Sequence, residues 1–575
     1  MFAGVLFNLG GFLFALGVLH PLIRLEVVST IALVVLAAFT CRMRWIGAVE
    51  RYWSRLARRG ALTLAAIFLL PLVLRAVLLI SYPPPAPFLH DEFGNILLAD
   101  TFAHWRVANP THSFWIHFET FHVVQHPLYF SFRPPVPGLF LALFKPLTGS
   151  MWGGVCIGMG LMCAAFLWML RGWFPPRWAL LGALLATMQI GVLSYWMNSY
   201  WGGQWAALGG ALLLGGLGRL LRYPRAVDAV LMAIGGGLVI NTRPFEGGVV
   251  ALTAAAILLA RFVQGAAPNR RALWRAVFPG VIAGGLILMA MLYYNFRLTG
   301  NPLELPYQLG VQAYNWAPAL AWQSPGPPKY YNHDVMRRCF QEWEIVDYRK
   351  WKATPLAETL LDRLAETWQF FVRPALSLAL LAFPWVVFRD RRIRPLLWIC
   401  LVMVPVTLVS VWYNPHYIAP AAAAFYGILI QGMRHLRVWS RRGSPYWAAM
   451  ARVIPVSCAL TLGVAMAMDL TGARVPSNFR GWCGRYQELR ARAEISARVS
   501  SLAGGHLILV RYRPDHNYFA EWVYNDADID RAKIVWAREM DPARNAALMN
   551  YFHGRKAWLL EADLNPPRLS PYPAP

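Results

Sequence analysis

The sequence predicts an all-α polytopic membrane protein with about thirteen transmembrane helices and a small soluble α/β domain at its C-terminal end. Three observations predict this fold class. The chain has 575 residues, of which 57% are hydrophobic and only 14% are charged, whereas about 25% are charged in an ordinary soluble domain. Long apolar runs alternate with short polar loops, and the composition changes after residue 469.

The apolar runs are roughly 14 to 22 residues long, a length that suits helices crossing a bilayer, although several are short for a full crossing. We predict these spans at 2–20, 27–41, 61–81, 152–170, 178–196, 203–218, 226–241, 247–261, 276–294, 374–388, 395–412, 417–432 and 449–468.

The loops between the runs are of two kinds. One kind is short and basic, and by the positive-inside rule it is cytoplasmic. These loops are 42–59, 171–177, 219–225, 261–275, 389–394 and 434–442. The arginines of these loops explain much of the net charge of +25, so we exclude nucleic acid as a partner. The remaining loops then face the outer side, and they carry most of the polar and aromatic motifs.

Three regions follow from this pattern. Residues 1–60 are expected to form an N-terminal transmembrane hairpin and a basic cytoplasmic loop. Residues 61–469 form the transmembrane core with two large outer loops, 82–151 and 295–373. Residues 470–575 contain alternating apolar runs at 507–512 and 533–536, which are typical of strands. We therefore expect this tail to be a soluble α/β domain on the outer, periplasmic side.

The first outer loop is expected to hold interfacial helices. The segment 95–108 places apolar residues on one helical face, so that it can lie flat in the membrane interface. The segment 139–149 is expected to be an outer-leaflet helix that does not cross, because a crossing there would put the basic loops 171–177 and 219–225 on opposite sides. A flat helix beside polar residues would form a roof over a cavity on the lipid side.

Asp91 and Glu92 stand side by side where the chain leaves the membrane, in "PFLHDEFGNILLAD". Adjacent residues of a helix point in different directions, so at most one of the two carboxylates faces the chemistry. A reaction that needs a single base is one whose leaving group departs without protonation, as a phosphate does. The pair therefore favours transfer from a phosphate-linked donor. The alternative is that Asp91 caps the helix that follows.

The same loop contains His117, Glu119, His122, His126 and Arg133. The three histidines suggest zinc, but their spacing matches no standard set of ligands. We therefore expect no cofactor, and we do not favour a divalent metal. The histidines otherwise serve as hydrogen-bonding groups at an interface.

The acidic pair, the interfacial helix after it and the element "RPPVPG" before the chain re-enters the membrane resemble the C-type (GT-C) membrane glycosyltransferases. This group includes the protein O-mannosyltransferases and the lipid A aminoarabinose transferase. Motifs such as "SYWMNSYWGGQW", "NTRPFEG" and "YNPHYIAPA" are similar to those of uncharacterised bacterial members. The likeness extends over roughly residues 60 to 470. It implies a GT-C-like transmembrane core.

The resemblance implies a sugar donor on polyprenyl phosphate, inversion at the anomeric carbon and an Asp as general base. Asp91 matches the first acid of the family's pair, with Glu92 as the second. The His-Pro-Pro element of the mannosyltransferases is Arg133-Pro134-Pro135 here, which leaves the acceptor open between glycan, lipid and protein. We expect Arg133 and His122 to bind substrate.

The other candidate substrate-binding residues lie in outer loops. Arg243 and Glu246 sit where a helical run breaks, as polar groups do when they line a cavity near a membrane. Arg243 is expected to bind the lipid phosphate; the alternative is an ion pair with Glu246. Further expected phosphate or hydrogen-bonding partners, each also explicable as an interfacial anchor, are Arg297, Lys329, His416 and Tyr417.

The sequence thus predicts a multi-pass enzyme of the bacterial inner membrane that transfers a sugar to a cell-envelope acceptor on the periplasmic side. Membrane lipids would surround it. The alternative function is a transporter or flippase of lipid-linked sugars. Such proteins often carry inverted repeats, and none is evident in the sequence.

Overall fold

A computed structural model describes residues 21–40, 44–264, 270–442, 444, 446–473 and 490–573. The expected span at 2–20 lies outside these residues. The described chain is mostly helical, with two small sheets.

Most helices of the first half follow the apolar runs. The helices of this half are α1 Pro21–Thr40, α2 Arg44–Leu56, α3 Gly60–Val77, α4 His90–Ala103, α5 Trp115–Phe118, α6 Pro135–Thr148, α7 Met151–Trp173, α8 Pro176–Ile190, α9 Gln204–Leu220, α10 Ala226–Ile240, α11 Pro244–Val263 and α12 Arg270–Thr299. Helix α2 lies in the basic loop 42–59, whereas α4, α5 and α6 lie in the first outer loop.

The second half is more broken. Its helices are α13 Pro306–Ala313, α14 Asp334–Arg337, α15 Ile345–Ala353, α16 Leu356–Phe371, α17 Arg373–Leu380, α18 Phe383–Arg389, α19 Arg394–Val409, α20 Ala422–Arg442, α21 Tyr446–Leu470, α22 Arg490–Ser500 and α23 Pro542–Tyr551. A π-helical stretch, Arg338–Glu344, joins α14 to α15, and a 3₁₀ helix, Pro415–Ala421, precedes α20.

The expected number of about thirteen transmembrane helices is not confirmed. Within the described residues, six helices are long and apolar enough to cross a membrane. They are Gly60–Ile80, Met151–Trp173, Pro244–Val263, Arg271–Thr299, Arg391–Val409 and Tyr446–Leu470. The shortfall has a physical reason, because a straight crossing takes about 20 residues. Helices α8, α9 and α10 have 15, 17 and 15 residues, and the run at 374–388 is split between α17 and α18.

A buried ion pair joins distant parts of the helical core. Arg373, which begins α17, and Glu26 of α1 are fully buried, and their charged atoms are 3.3 Å apart. Arg373 also donates to the side chain of Gln189 at 2.6 Å, at the end of α8. Removing one partner of such a pair leaves an uncompensated buried charge, so the three helices are fixed relative to one another.

The first outer segment folds against helix α4. A small antiparallel sheet has the order β1 Asn109–Pro110, β3 Leu128–Ser131, β2 Val123–Val124. Phe93, Leu97, Leu98 and Ala99 of α4 are buried, and α4 packs on α6 and β3. The segment expected at 95–108 as an interfacial helix is thus largely enclosed by protein.

The described tail forms an α/β unit, with strands where two were expected. Its sheet has the order β5 Ile534–Arg538, β4 Gly505–Arg511, β6 Arg555–Glu561, β7 Arg568–Pro571. The first three strands are parallel and β7 is antiparallel to β6. We call residues 490–573 the C-terminal unit. Helix α23 forms the crossover from β5 to β6.

The C-terminal unit is docked on the first outer segment by polar contacts. The backbone N–H of Ala527 donates to Asp100 of α4 at 2.8 Å, and the hydroxyl of Tyr129 donates to the carbonyl of Asn525 at 3.0 Å. Arg538 spans the contact: it donates to the carbonyl of Glu119 at 2.8 Å and pairs with Glu521 at 2.6 Å. Both side chains of that pair are at most 3% exposed.

We predict that Arg538→Ala loosens this docking, because it leaves the Glu521 carboxylate buried without its cation. The free energy of unfolding of the C-terminal unit should fall by about 3–5 kcal/mol, and hydrogen exchange should rise in β5 and in residues 119–124. The control is Arg531→Ala, which removes a pair whose arginine is 88% exposed and should cost at most about 1 kcal/mol. Equal exchange in both variants would contradict the prediction.

Candidate active site

The first turn of α4 carries His90, Asp91 and Glu92, and each is held by a different part of the chain. His90 contacts the C-terminal unit, Asp91 contacts Arg133, and Glu92 contacts the loop before α9. Adjacent side chains of a helix diverge, so the three groups sample three surroundings.

Glu92 is bound entirely by backbone N–H groups. Its Oε1 accepts from Phe88 and Leu89 at 3.2 and 3.1 Å, and its Oε2 accepts from Tyr200 at 2.9 Å. The side chain is 1% exposed, and this burial raises the pKa of Glu92 to about 7. Glu92 therefore caps α4 and ties it to the 199–205 loop, a role that the sequence alternative had given to Asp91.

Asp91 is paired with Arg133. Its Oδ1 lies 2.6 Å from the Arg133 Nη1, and its Oδ2 lies 3.8 Å from the His122 Nδ1. Burial favours the neutral acid, but Arg133, followed by His122, outweighs it and lowers the pKa of Asp91 below its ordinary value. The side chain is 18% exposed. Asp91 is thus an ionised carboxylate, and its Oδ2 lies beyond hydrogen-bond range of the His122 Nδ1.

Gly94 permits this pair to form. A Cβ at Gly94 would lie 2.8 Å from Cγ of Arg133 and 2.8 Å from Oγ of Ser131. Such contacts are too short for any side chain, so glycine lets Arg133 lie directly against the first turns of α4. Arg133 can then reach Asp91, which lies three residues before Gly94 in α4.

Arg133 also lines a small cavity, which is about 20 Å³ in volume. Two helices begin at the wall of this cavity. Gly203, which precedes α9, and Arg243, which precedes α11, both line it. Neither residue makes a capping hydrogen bond with its side chain. Helix N-termini carry partial positive charge and free N–H groups, which favour anions. The lining residues are Asn95, Arg133, Pro134, Pro137, Trp201, Gly202, Gly203, Ala206, Thr242, Arg243 and His416.

Arg243 supplies the second cation of this cavity. Its guanidinium lies 3.7 Å from the centre of the Tyr417 ring. Its Nε and Nη2 are buried and have no hydrogen-bond partner among the described residues. Burial favours the neutral form, but Glu246 and then Tyr417 raise the pKa of Arg243 above its ordinary value.

His416 completes the wall beside Gly203. Its Nδ1 is 2.8 Å from the Tyr195 hydroxyl, and its ring lies edge-on to Trp201 at 4.5 Å. A Cβ at Gly203 would lie 2.5 Å from the Trp196 ring and 2.9 Å from Cβ of His416. Only glycine therefore allows the start of α9 to approach the histidine this closely.

The structure brings together most of the expected substrate-binding residues but not all of them. Arg133, Arg243 and His416 line one cavity, with Tyr417 packed on Arg243 and His122 next to Asp91. Glu246 is buried in the first turn of α11.

Two expected phosphate partners lie elsewhere. Arg297 is on the exposed end of α12 and donates to the Tyr293 hydroxyl at 2.8 Å. Lys329 donates to the carbonyls of Val311 and Gln312 at 2.8 and 2.5 Å. Both arginine and lysine are thus engaged within the outer segment 293–329 rather than at the cavity.

Two of the three histidines that suggest zinc in the sequence, His117 and His122, have separate partners in the structure. The Nδ1 of His117 is 2.9 Å from the carbonyl of Arg538, and His122 faces Asp91. Glu119 accepts from Asn332 at 2.9 Å. Across the described ranges, no group of three or more His, Cys, Asp and Glu side chains is placed to hold a metal ion.

Sequence reasoning missed Tyr524. Its hydroxyl lies 2.8 Å from the Nδ1 of His90, and its ring stacks on Phe93 at 4.0 Å. No sequence signal could reveal this contact, because 434 positions separate the two residues. Asn95, which lines the cavity and donates to the carbonyl of Tyr200 at 2.8 Å, was also missed.

Solved structures of membrane glycosyltransferases are similar to this chain. ArnT from Cupriavidus metallidurans, bound to undecaprenyl phosphate, is 12% identical with a TM-score of 0.47, and the match covers 86% of this chain and 92% of that one. The apo oligosaccharyltransferase of Archaeoglobus fulgidus is 11% identical with a TM-score of 0.49, covering 88% and 69%.

The same archaeal protein, AglB, in complex with an inhibitory peptide and a dolichol-phosphate, matches at 11% identity and a TM-score of 0.48, covering 88% and 69%. ArnT is a lipid A aminoarabinose transferase, and both proteins have the GT-C fold. Both proteins are members of the group that the sequence resembles. At these identities and TM-scores, the likeness assigns no donor, acceptor or catalytic residue to this chain. No protein-family model matches it, and no curated protein does.

We predict a pH signature for Glu92. Its pKa is about 7 in the folded protein against 4.5 ordinarily, so the folded state retains a proton that the unfolded state loses between these values. The extra proton held by Glu92 therefore makes the free energy of unfolding decrease as the pH rises from 4.5 to 7. The glutamine of Glu92→Gln does not titrate. Its NH₂ group also replaces one of the two oxygens that accept hydrogen bonds from the backbone. The variant should therefore be less stable than the wild type at low pH.

The difference in melting temperature between the wild type and Glu92→Gln should therefore narrow as pH rises through this window. The control is Glu342→Gln, on an exposed glutamate, whose profile should run parallel to the wild type. A Glu92→Gln profile that also ran parallel would show that Glu92 titrates normally.

Proposed function

We propose that this chain is an inverting glycosyltransferase that moves a sugar from a polyprenyl-phosphate donor to a cell-envelope acceptor. One observation carries the proposal: an ionised carboxylate, Asp91, is bonded to an arginine that also lines a cavity where two helix N-termini and Arg243 converge. A base and an anion site are thus joined through the single side chain of Arg133.

In this proposal the cavity binds the phosphate group of the donor. Arg133 and Arg243 give two cations, and the starts of α9 and α11 add N–H groups and dipole charge of the same sign. The unbonded Nε and Nη2 of Arg243 are the donors that a bidentate contact to phosphate requires. The apolar helices around the cavity would accommodate the polyprenyl chain.

The reaction follows from this arrangement as a single displacement. The acceptor hydroxyl attacks the anomeric carbon, its proton passes to the Oδ2 of Asp91, and the bond between that carbon and the phosphate oxygen breaks. The electron pair leaves with the phosphate, whose charge is stabilised by Arg133 and Arg243. One displacement inverts the anomeric configuration. Because the phosphate needs no proton, a second acid is unnecessary, and we assign Glu92 to positioning.

We place this site on the periplasmic side of a bacterial inner membrane. The support is the arrangement of loops: the short arginine-rich loops lie at the opposite ends of the helices in the sequence, and such loops stay in the cytoplasm. The polar residues of the site come from the other set of loops, 82–151, 199–205, 241–247 and 412–417.

The proposal predicts different losses for three substitutions. Asp91→Asn should lower kcat by about 10²- to 10⁴-fold, because the acceptor hydroxyl loses its base, while binding of undecaprenyl phosphate stays nearly intact. Arg243→Ala should weaken that binding and lower kcat, since the cation acts on the phosphate in both states. Arg297→Ala, on an exposed arginine away from the cavity, is the control and should match the wild type.

The measurement is transfer of a tritiated sugar from a donor lipid by purified protein, with lipid binding assayed separately. Wild-type transfer by Asp91→Asn would remove Asp91 as the base. A flippase needs a site for the lipid phosphate but no base. If the protein moved the lipid across the membrane without transferring sugar, and if Asp91→Asn did this as fast as the wild type, the protein would be a transporter of lipid-linked sugars and not the proposed enzyme.

A further inference from the structure

Two imidazoles, those of His90 and His122, lie close to Asp91. His90 is 7% exposed, and its ring lies 5.7 Å from the ring of His122 in an edge-on arrangement. Among the described residues, the Nε2 of His90 and the Nδ1 of His122 are buried without a hydrogen-bond partner. Burial lowers the pKa of His90 to about 3 and that of His122 to about 4, although the charge of Asp91 opposes this effect on both rings. Both rings are therefore neutral at pH 7.

Unbonded nitrogens in such a place require a partner. A buried polar atom without a hydrogen bond costs about 1–3 kcal/mol, so native proteins rarely keep one. A neutral imidazole has one N–H donor and one acceptor nitrogen. Two of them beside a carboxylate match the mixed donor and acceptor character of neighbouring hydroxyl groups.

Aromatic side chains continue outward from the two histidines. The ring of Phe519 stacks over His90 at 6.0 Å, and Trp343 meets Phe519 edge-on at 4.9 Å. Trp343 in turn stacks on Trp412 at 5.3 Å and 26°. These three aromatic residues are half-buried, so part of each ring surface is exposed. They come from three distant segments, which we call together the aromatic wall.

The C-terminal unit holds this region in place. Besides Phe519, it supplies Tyr524, whose hydroxyl bonds to the Nδ1 of His90 at 2.8 Å. The carbonyl of Tyr524 accepts from Arg492 at 2.9 Å, and the Arg492 guanidinium lies 4.8 Å above the Phe93 ring. Tyr524 is therefore a positioning residue that leaves the Nε2 of His90 for another partner.

We infer that the acceptor is itself a sugar ring, carried by a glycan or a glycolipid, and that it binds on the exposed faces of the aromatic wall, at the end of the wall next to the two histidines. This inference rests on the proposed function. A sugar presents an apolar C–H face that packs on aromatic rings and hydroxyl groups that bond to the His90 Nε2 and the His122 Nδ1. One hydroxyl then lies next to the Oδ2 of Asp91, opposite the donor cavity. A serine or threonine acceptor has no such face and leaves the wall unused.

The test supplies the purified protein with tritiated donor lipids. These lipids are extracted from the membranes of host cells that have been grown on tritiated sugar. Three acceptor fractions of the host envelope are offered separately: glycan with glycolipid, protein, and sugar-free phospholipid. Label should enter the first fraction alone. Label in protein or phospholipid would overturn the acceptor inference while the proposed function stands. Absence of label in all three would overturn both.

Substitutions in the wall then locate the acceptor. Trp343→Leu keeps an apolar side chain but removes the ring, so the KM for the glycan fraction should rise about tenfold, which corresponds to about 1.4 kcal/mol. The KM for the donor should not change, and Trp343→Phe should restore most of the loss. Tyr330→Ala, on an exposed aromatic residue of the same segment, is the matched control.

Phe519→Leu provides a second variant in case Trp343→Leu does not fold, as judged by binding of undecaprenyl phosphate. It should raise the same KM. An unchanged acceptor KM in a folded variant of either residue would overturn the assignment of the wall, as would an equal rise in the KM for donor and acceptor.

Discussion

The contact between Asp91 and Arg133, 2.6 Å long, is the interaction on which the rest of the site depends. It keeps the carboxylate ionised in a largely buried position, and it fixes the guanidinium at the wall of the cavity. A buried charge without a partner would be neutralised or expelled. Under the proposed function, the pair would hold a base and a phosphate-binding cation at a set separation, as a single displacement requires.

The surroundings of this pair separate the two carboxyl groups in the first turn of α4, because Asp91 is fully ionised at neutral pH whereas Glu92 is only partly ionised. Burial raises the pKa of Glu92 to about 7 and lowers those of His90 and His122 to about 3 and about 4. Backbone N–H groups bind Glu92, and the C-terminal unit orients His90. Four neighbouring titratable groups thus have distinct roles because their partners differ.

Local signals in the sequence predicted much of this site, whereas long-range contacts did not emerge from it. Arg133, Arg243 and His416 follow breaks in apolar runs, and these breaks meet in one cavity. Arg297 lies at a similar break but on an exposed face, which composition alone does not distinguish. Strand alternation located β4 and β5. The predicted number of crossings is not confirmed, because helices such as α8 and α10, with 15 residues each, are shorter than a straight crossing requires.

The most direct test of the account is an experimental structure of the Asp91→Asn protein with undecaprenyl phosphate bound. The account predicts phosphate density between Arg133, Arg243 and His416, with oxygens about 3 Å from the Arg243 Nη2 and from the first N–H groups of α9 and α11. Phosphate bound at Arg297 or among the arginines of the short basic loops, with this cavity empty, would contradict the account.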